Sequence, residues 1–304
     1  MTTHRSGFAS IVGRPNAGKS TLTNALVGEK VAITSSKPQT TRHAIRGIVS
    51  RPDAQLILVD TPGLHRPRTL LGQRLNDVVR ETLTEVDVVA FCLPADQKVG
   101  PGDKYIAREL ATIRREGRGT PVVAVATKSD LVDRGRLAEH LMALDQLGDW
   151  DDIVPVSAVR GEQVDVVADL LVARLPAGPQ LYPGGELTDE PEAVMVAELV
   201  REAALEGLGD ELPHSLAVVV DEMTPREDRP EHDPMLQIRV NLFVERPSQK
   251  AIMIGRGGTR LRDIGTAARG SIERLLGQKV YLDLHVKVAK DWQRDPKQLG
   301  RLGF

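Results

Sequence analysis

The chain has 304 residues, enough for one or two domains, and its 41% apolar and 27% charged content is that of a soluble globular protein. A net charge of −2 excludes a protein that holds polyanions by overall charge, so any such role needs a local concentration of cations. The lone Cys92 excludes an intrachain disulfide, and no apolar stretch reads as a signal peptide or a bilayer span, which suits a monomer in a reducing cytoplasm.

The first predicted element is the apolar run GFASIVG, a buried strand that leads into GRPNAGKST, residues 13–21. Gly13, four residues, then Gly18-Lys19-Ser20 form the P-loop pattern, with helix-like STLTNALVG after it. The chemistry is specific. Backbone N–H groups from Gly13 through Asn16, Ala17, Gly18 and Thr21 would cradle phosphate oxygens; Lys19 would reach the β- and γ-phosphates, and the Ser20 hydroxyl would ligand Mg²⁺. The bland alternative is a glycine turn with an incidental lysine, which the flanking strand and helix argue against.

AQLILVDTPG is the next strand, and its Asp60 is the expected acid on the Mg²⁺ side, acting through water. Gly63 leaves a backbone N–H free to approach the γ-phosphate. Cys92 lies in the third run, VDVVAFCLP, and reads as a buried structural thiol. At the end of TPVVAVATKSD, Asp130 could accept two hydrogen bonds from guanine N1–H and its amine, with the Lys128 stem along the base. In DIVPVSA, Ser157 precedes Ala158, whose N–H could bond guanine O6. Alternating strands and helix-length segments predict an α/β domain with a mostly parallel sheet over residues 1–175.

PAGPQLYPGG packs turn residues together and predicts a linker over 176–190. An acidic helix follows from about 191 to 208, expected to face away from any nucleic acid. Strands are predicted at 215–223 and 235–245, then at KVYLDLHVKV, before a short polar tail. Between the last two strands Gly255-Arg256-Gly257-Gly258 forms a G-x-x-G loop between helices, framed by Ile252, Ile254, Leu261 and Ile264. Arg260 and Arg262 follow it, and residues 246–279 carry a net charge of about +6, a phosphate-facing footprint. This order matches an α+β type II KH unit over 191–304, whose groove suits a chain with only 3% aromatic residues.

Taken together, GRPNAGKS, DTPG, TKSD and SA resemble the translation-factor-related GTPases. With ITSSKPQTTRHAIRGI (33–48) and the KH unit, the chain resembles the Era-type GTPases along essentially its whole length. The resemblance implies that Thr41, or its neighbour Thr40, ligands Mg²⁺ and the γ-phosphate from a mobile first switch loop. It implies GTP hydrolysis to GDP and binding of small-subunit ribosomal RNA near its 3′ end, in the service of pre-30S particle maturation. Peripheral membrane contact at the inner face is also a property of the family. Asn16 would help hold K⁺ in potassium-activated relatives; the other reading is that it only shapes the loop. Two departures stand out. Thr127 replaces the usual Asn of the guanine motif, which is expected to loosen the base pocket, and Leu64 stands where Ras-type enzymes place a water-orienting glutamine. A P-loop ATPase and a signalling or scaffold GTPase are the alternative classes; Asp130 argues against the first, the basic G-x-x-G region against the second.

Overall fold

The computed structural model describes residues 4–35, 40–42, 44–64, 69–116, 119–206, 215–226, 230 and 233–304. They divide near Asp189 and Glu190 into two compact units. The apolar runs of the first become β1 (Arg5–Val12), β3 (Ala54–Asp60), β4 (Val88–Pro94), β5 (Val122–Thr127) and β6 (Asp152–Pro155), joined by β2 (Ile45–Ser50). Their order is β2-β3-β1-β4-β5-β6, parallel throughout except for β2 against β3. The helices are α1 (Lys19–Val27), α2 (Leu70–Glu85), α3 (Pro101–Glu116), α4 (Arg134–Asp145) and α5 (Val164–Val172).

Strands read as continuous apolar runs here because both faces of the sheet are covered. Ala9, Ile11, Ala90 and Val123 pack on one side with Leu22 of α1 and Val167 of α5. On the other, Val89, Phe91 and Ala124 meet Val79 of α2, Ile106 of α3 and Leu144 of α4. Cys92 lies in the first cluster, where burial pushes its thiol up to about 12, so it is an inert structural thiol as expected.

Three sequence expectations need correction. The stretch 33–48 reads as one loop, yet Ile45–Ser50 form β2, with Ile45 and Ile48 buried and Arg46 exposed between them. Its short alternating pattern is masked by the polar residues before it. The turn-rich stretch after Pro176 is held to strands rather than hanging free. Ser6 N donates to Pro176 O and Gly178 N to His4 O, while Gln55 Oε1 accepts from Leu181 N and Tyr182 N.

The third correction concerns the second unit, built from α6 (Glu192–Leu205), β7 (Ala217–Pro225), β8 (Met235–Val244), α7 (Pro247–Ile254), α8 (Thr259–Leu276), β9 (Lys279–Val288) and α9 (Pro296–Arg301). β8 runs antiparallel to β7 and parallel to β9, and α7 and α8 supply the crossover that a parallel pair needs. The polar tail is in fact part of this core. Trp292 is fully buried, its Nε1 donates to Ser215 O at 3.0 Å, and its ring stacks on Phe304. Apolar anchors spaced among lysines and arginines conceal this in the sequence. Likewise α6 is a core helix, whose Glu198 and Arg201 are buried and paired at 2.6 Å.

Candidate functional site

β1 ends in the loop 13–18, and α1 begins at Lys19, so the first N–H groups of α1 lack intrahelical acceptors. Asn16 (φ 64°) and Gly18 (φ 83°) are left-handed, which folds the loop into a cradle with Ala17 buried beneath it. Gly13 lies against the Cys92 carbonyl, and Thr21 sits in the first turn of α1. Lys19 is buried, and its Nζ donates to Arg14 O at 3.2 Å. Burial lowers the Lys19 pKa, with Asp60 opposing.

Asp60 ends β3 with 0% exposure. The Ser20 hydroxyl donates to its Oδ2 at 2.7 Å and the Thr41 hydroxyl to the same oxygen at 3.1 Å, with the two hydroxyls 2.9 Å apart. Thr41, rather than Thr40, is therefore the residue brought to Ser20 and Asp60. Burial pushes the Asp60 carboxyl up, and Lys19, Ser20 and Thr41 pull it back toward the charged form. Its Oδ1 is buried with no partner among the described residues. A Cβ on Gly63 would lie 2.8 Å from Pro15 N, so only glycine lets the DTPG turn close onto the phosphate loop. Leu64 is packed in the core with Val12 and Val79, where it can orient no water; residues 65–68 lie outside the described ones.

At the base end, the expectation for Thr127 changes. Its hydroxyl donates to Ala17 O at 2.6 Å, so this strand end is braced to the phosphate loop. Lys128 is left-handed (φ 57°), and its Nζ meets Asp96 at 3.4 Å. Asp130 follows in a short helical turn, half-buried, and its carboxylate has no partner among the described residues. Ser157 is buried and its Oγ accepts from Arg160 N, while Ser129 N donates to Val156 O, joining the two base loops. Neither the Ala158 N–H nor the Asp130 carboxylate is engaged by a described residue.

Sequence reasoning misses Arg14 and Asp103. Arg14 Nε donates to the buried Asp103 at 3.0 Å and its Nη1 to Gln97 at 2.6 Å, while Gly100 N donates to the second Asp103 oxygen at 2.8 Å. This clamp ties the phosphate loop to the start of α3. Arg14 occupies a variable position of the P-loop pattern and Asp103 lies 89 residues away, so no spacing signals the pair.

In the second unit Gly255 ends α7, and Gly257 and Gly258 also take positive φ, so the backbone folds tightly between α7 and α8. A Cβ on Gly255 would meet Arg260 N at 2.9 Å. Arg256 and Arg262 are exposed, and Arg262 lines a groove of about 320 Å³ with Leu261, Arg269, Leu284 and Tyr281. Arg260 differs from expectation. Its guanidinium donates to Ala204 O and Glu206 O, capping α6, because helix-end carbonyls attract a cation. The C-terminal end of the acidic helix thus lies beside Arg260. Ile252 is 51% exposed and Met253 is the buried apolar residue of α7, beside the buried Gln249, a helical register that the apolar run hides. Tyr281, with Arg226 over its ring at 5.0 Å, is an aromatic groove residue that low aromatic content gives no reason to expect.

Residues 8–128 match the family model of a 50S ribosome-binding GTPase, and residues 211–293 match the KH domain model. The chain is 69% identical over 308 residues to GTPase Era of Streptomyces coelicolor, covering 100% of this chain and 96% of that one. To GTPase Era of Mycobacterium avium it is 66% identical, over 100% of both chains. Among solved structures it is similar to Era in complex with MgGDPNP and nucleotides 1506–1542 of 16S ribosomal RNA, with TM-score 0.93, 35% identity and 99% of each chain covered. Against Aquifex aeolicus Era bound to GDP and AlF₄⁻ the TM-score is 0.92 at 35% identity, covering 98% of this chain and 99% of the other.

Proposed function

The chain belongs to the Era family of GTPases, and from that premise we propose that it binds small-subunit ribosomal RNA near its 3′ end in a nucleotide-dependent way and assists maturation of the pre-30S particle. The observation that carries the reading is the pairing of a phosphate cradle, an unengaged Asp130 at the base end, and a basic G-x-x-G groove in one chain. A solved relative holds both a magnesium-bound GTP analogue and 16S ribosomal RNA.

The residues present fit Mg²⁺. Three oxygen-bearing side chains converge, and Asp60 Oδ1 is buried and unpartnered among the described residues, as a hard cation's oxygen donor set requires. Ser20, Thr41 and Asp60 would hold it, and the bound ion would neutralise charge on the β- and γ-phosphates. Lys19 moves from the Arg14 carbonyl to the phosphates and, with the N–H groups of residues 13–21, stabilises the charge of the transition state. The Gly63 N–H approaches the γ-phosphate, which water attacks in line. Thr127 holds the base loop to the phosphate loop while Lys128, Asp130, Ser157 and Ala158 select guanine. Asn16, exposed at the corner of the loop, is the residue for K⁺; equal hydrolysis rates in K⁺ and Na⁺ would leave it only a loop-shaping role.

In the second unit, Gly255, Arg256, Gly257, Gly258 and Arg262 meet the RNA backbone, and Arg260 supports them by tying the start of α8 to the end of α6. The reading takes the protein as a cytoplasmic monomer that touches the inner face of the membrane peripherally; among the described residues no helix is long and apolar enough to cross a membrane. The test is binding of a short RNA from the 3′ end of small-subunit ribosomal RNA, with and without a non-hydrolysable GTP analogue, against a scrambled control at fixed salt. Selective binding that changes with the analogue is expected. Equal affinity for the scrambled RNA, unmoved by nucleotide, would overturn the RNA part and leave the GTPase intact.

A further inference from the structure

A second cavity, of about 490 Å³, opens in the first unit between α3 and residues 146–150, the segment leading into β6. Its volume falls in the range of ~300–1,000 Å³ typical of ligand sites. Val122 on its lining is the first residue of β5, and Thr127, which touches the phosphate loop, is the last. Five residues of extended chain, roughly 16 Å, therefore separate this cavity from the nucleotide site.

Its inner wall is apolar and fixed. Ala107 and Leu110 of α3 face Leu147 and Trp150. The Trp150 Nε1 donates to Leu144 O at 2.7 Å, and its ring lies 5.5 Å from that of Phe91, tilted by 59°. Gly148 lies so close to the indole that a Cβ there would come within 2.6 Å of Cζ2. Arg114 ties the same wall down by donating to Asp149 O at 3.0 Å and to the Asp151 carboxylate.

The rim is cationic. Lys104, Arg108 and Arg115 are exposed on α3 at positions i, i+4 and i+11, one face of the helix. Neither the Lys104 ammonium nor the Arg108 guanidinium has a partner among the described residues. With Arg114 the lining carries four cations against one carboxylate, Asp149, in a chain whose net charge is −2. A rigid apolar pocket beside three exposed cations that make no ion pair among the described residues, Lys104, Arg108 and Arg115, is complementary to one kind of ligand surface.

We propose that this cavity is a docking site for an acidic peptide segment of a partner protein, which seats one apolar side chain against Trp150 and Leu147 and sets its carboxylates against Lys104, Arg108 and Arg115. A phosphodiester backbone would satisfy the rim but leave the apolar wall unused, which favours the peptide over nucleic acid.

The full-length protein is panned against a random peptide display library, and enriched peptides are synthesised and titrated while tryptophan emission is followed. Trp292 is fully buried, so a change in emission reports on Trp150. The expected peptides carry two or more carboxylates beside one aromatic or aliphatic residue. Arg108→Glu with Arg115→Glu should weaken them at least about tenfold, as reversal of interfacial charges does. Ala111→Phe, on the exposed helix surface at the cavity mouth, should block them by filling it. GTP hydrolysis by both variants should match the parent, which shows that they fold. Enrichment of peptides without carboxylates, no enrichment, or binding indifferent to both variants would overturn the proposal. So would ribosomal RNA binding lost with the charge reversals in the absence of any peptide binding, which would assign the rim to nucleic acid.

Discussion

At the nucleotide site Lys19 and Asp60 are enclosed in protein, whereas Arg256 and Arg262 at the G-x-x-G loop stand in water. Enclosure makes each charge costly and binds it to neighbours: Asp60 is held by Ser20 and Thr41, Lys19 by Arg14 O. In the proposed function such a site exchanges those internal partners for phosphate and cation, and it is expected to act as a unit. The proposed RNA face carries charges already hydrated, each expected to contribute a modest, screened and nearly independent share. The difference teaches that substitutions at the first site should have large effects that do not add, and those at the second small effects that do.

Lys19→Ala should be the largest effect. Removing a preorganised charge from a dry site costs on the order of 10²–10³-fold in rate, and here GTP affinity should fall with it. Thermal stability should change little, since relief of the lysine's desolvation cost is offset by loss of the cation beside the buried Asp60. Titration of nucleotide and a melting curve on the same sample check this. Hydrolysis within a few-fold of the parent would break the reading of loop 13–21 as the phosphate cradle.

Thr127→Val comes next. It keeps the shape but leaves the fully buried Ala17 carbonyl without the hydroxyl that donates to it at 2.6 Å. An unsatisfied buried acceptor costs about 1–3 kcal/mol, so GDP and GTP should both bind roughly tenfold more weakly. Equal weakening marks a brace for the shared loop. A loss confined to GTP would show that Thr127 acts on the γ-phosphate side instead.

On the other face, Arg256→Ala and Arg262→Ala should each weaken RNA binding a few-fold and lower the salt slope by about 0.7, the value for one phosphate contact on a single strand. The double variant should show the sum of the two. Arg260→Ala should behave differently, lowering the melting temperature with little change in slope, because its guanidinium caps α6. A slope change as large as that of Arg262→Ala would return Arg260 to the RNA face.

How far each region is legible follows from the same contrast. The phosphate cradle, Asp60 and the base loops depend on short motifs at strand ends, and β1, β3, β4 and β5 are apolar on both faces, so runs of Val, Ile, Leu and Ala betray them. β9 is read at its full length, Lys279–Val288, from dense β-branched and aromatic content. What escapes is set by tertiary contact. Arg14 finds Asp103 only because β1 and β4 are neighbours in the sheet. β2 is too short and too polar at its approaches to stand out, and Trp292 is drawn into a core by partners far away in sequence. Arg260 looks like its neighbours Arg256 and Arg262 until the end of α6 is placed beside it.

The smallest expected effect concerns His140, a titratable side chain on α4 that is buried, with Nε2 unpartnered among the described residues. Burial lowers its pKa, and a backbone hydrogen bond to Leu93 and the charge of Asp103 only partly offset this. The neutral ring is therefore the form the fold prefers. As the pH falls below the ordinary histidine value of about 6.5, the unfolded chain takes up this proton before the folded chain does, so stability declines toward acid. The loss continues until the lowered folded-state value is passed, and above about 7 the term vanishes. Denaturant melts of the parent and of His140→Gln at pH 7.5, 6.5 and 5.5 isolate the contribution. The parent should lose more than the variant over that window, with the two curves parallel above it. A parent that gained stability relative to His140→Gln toward acid would mean that the fold holds a protonated ring, with Asp103 outweighing burial.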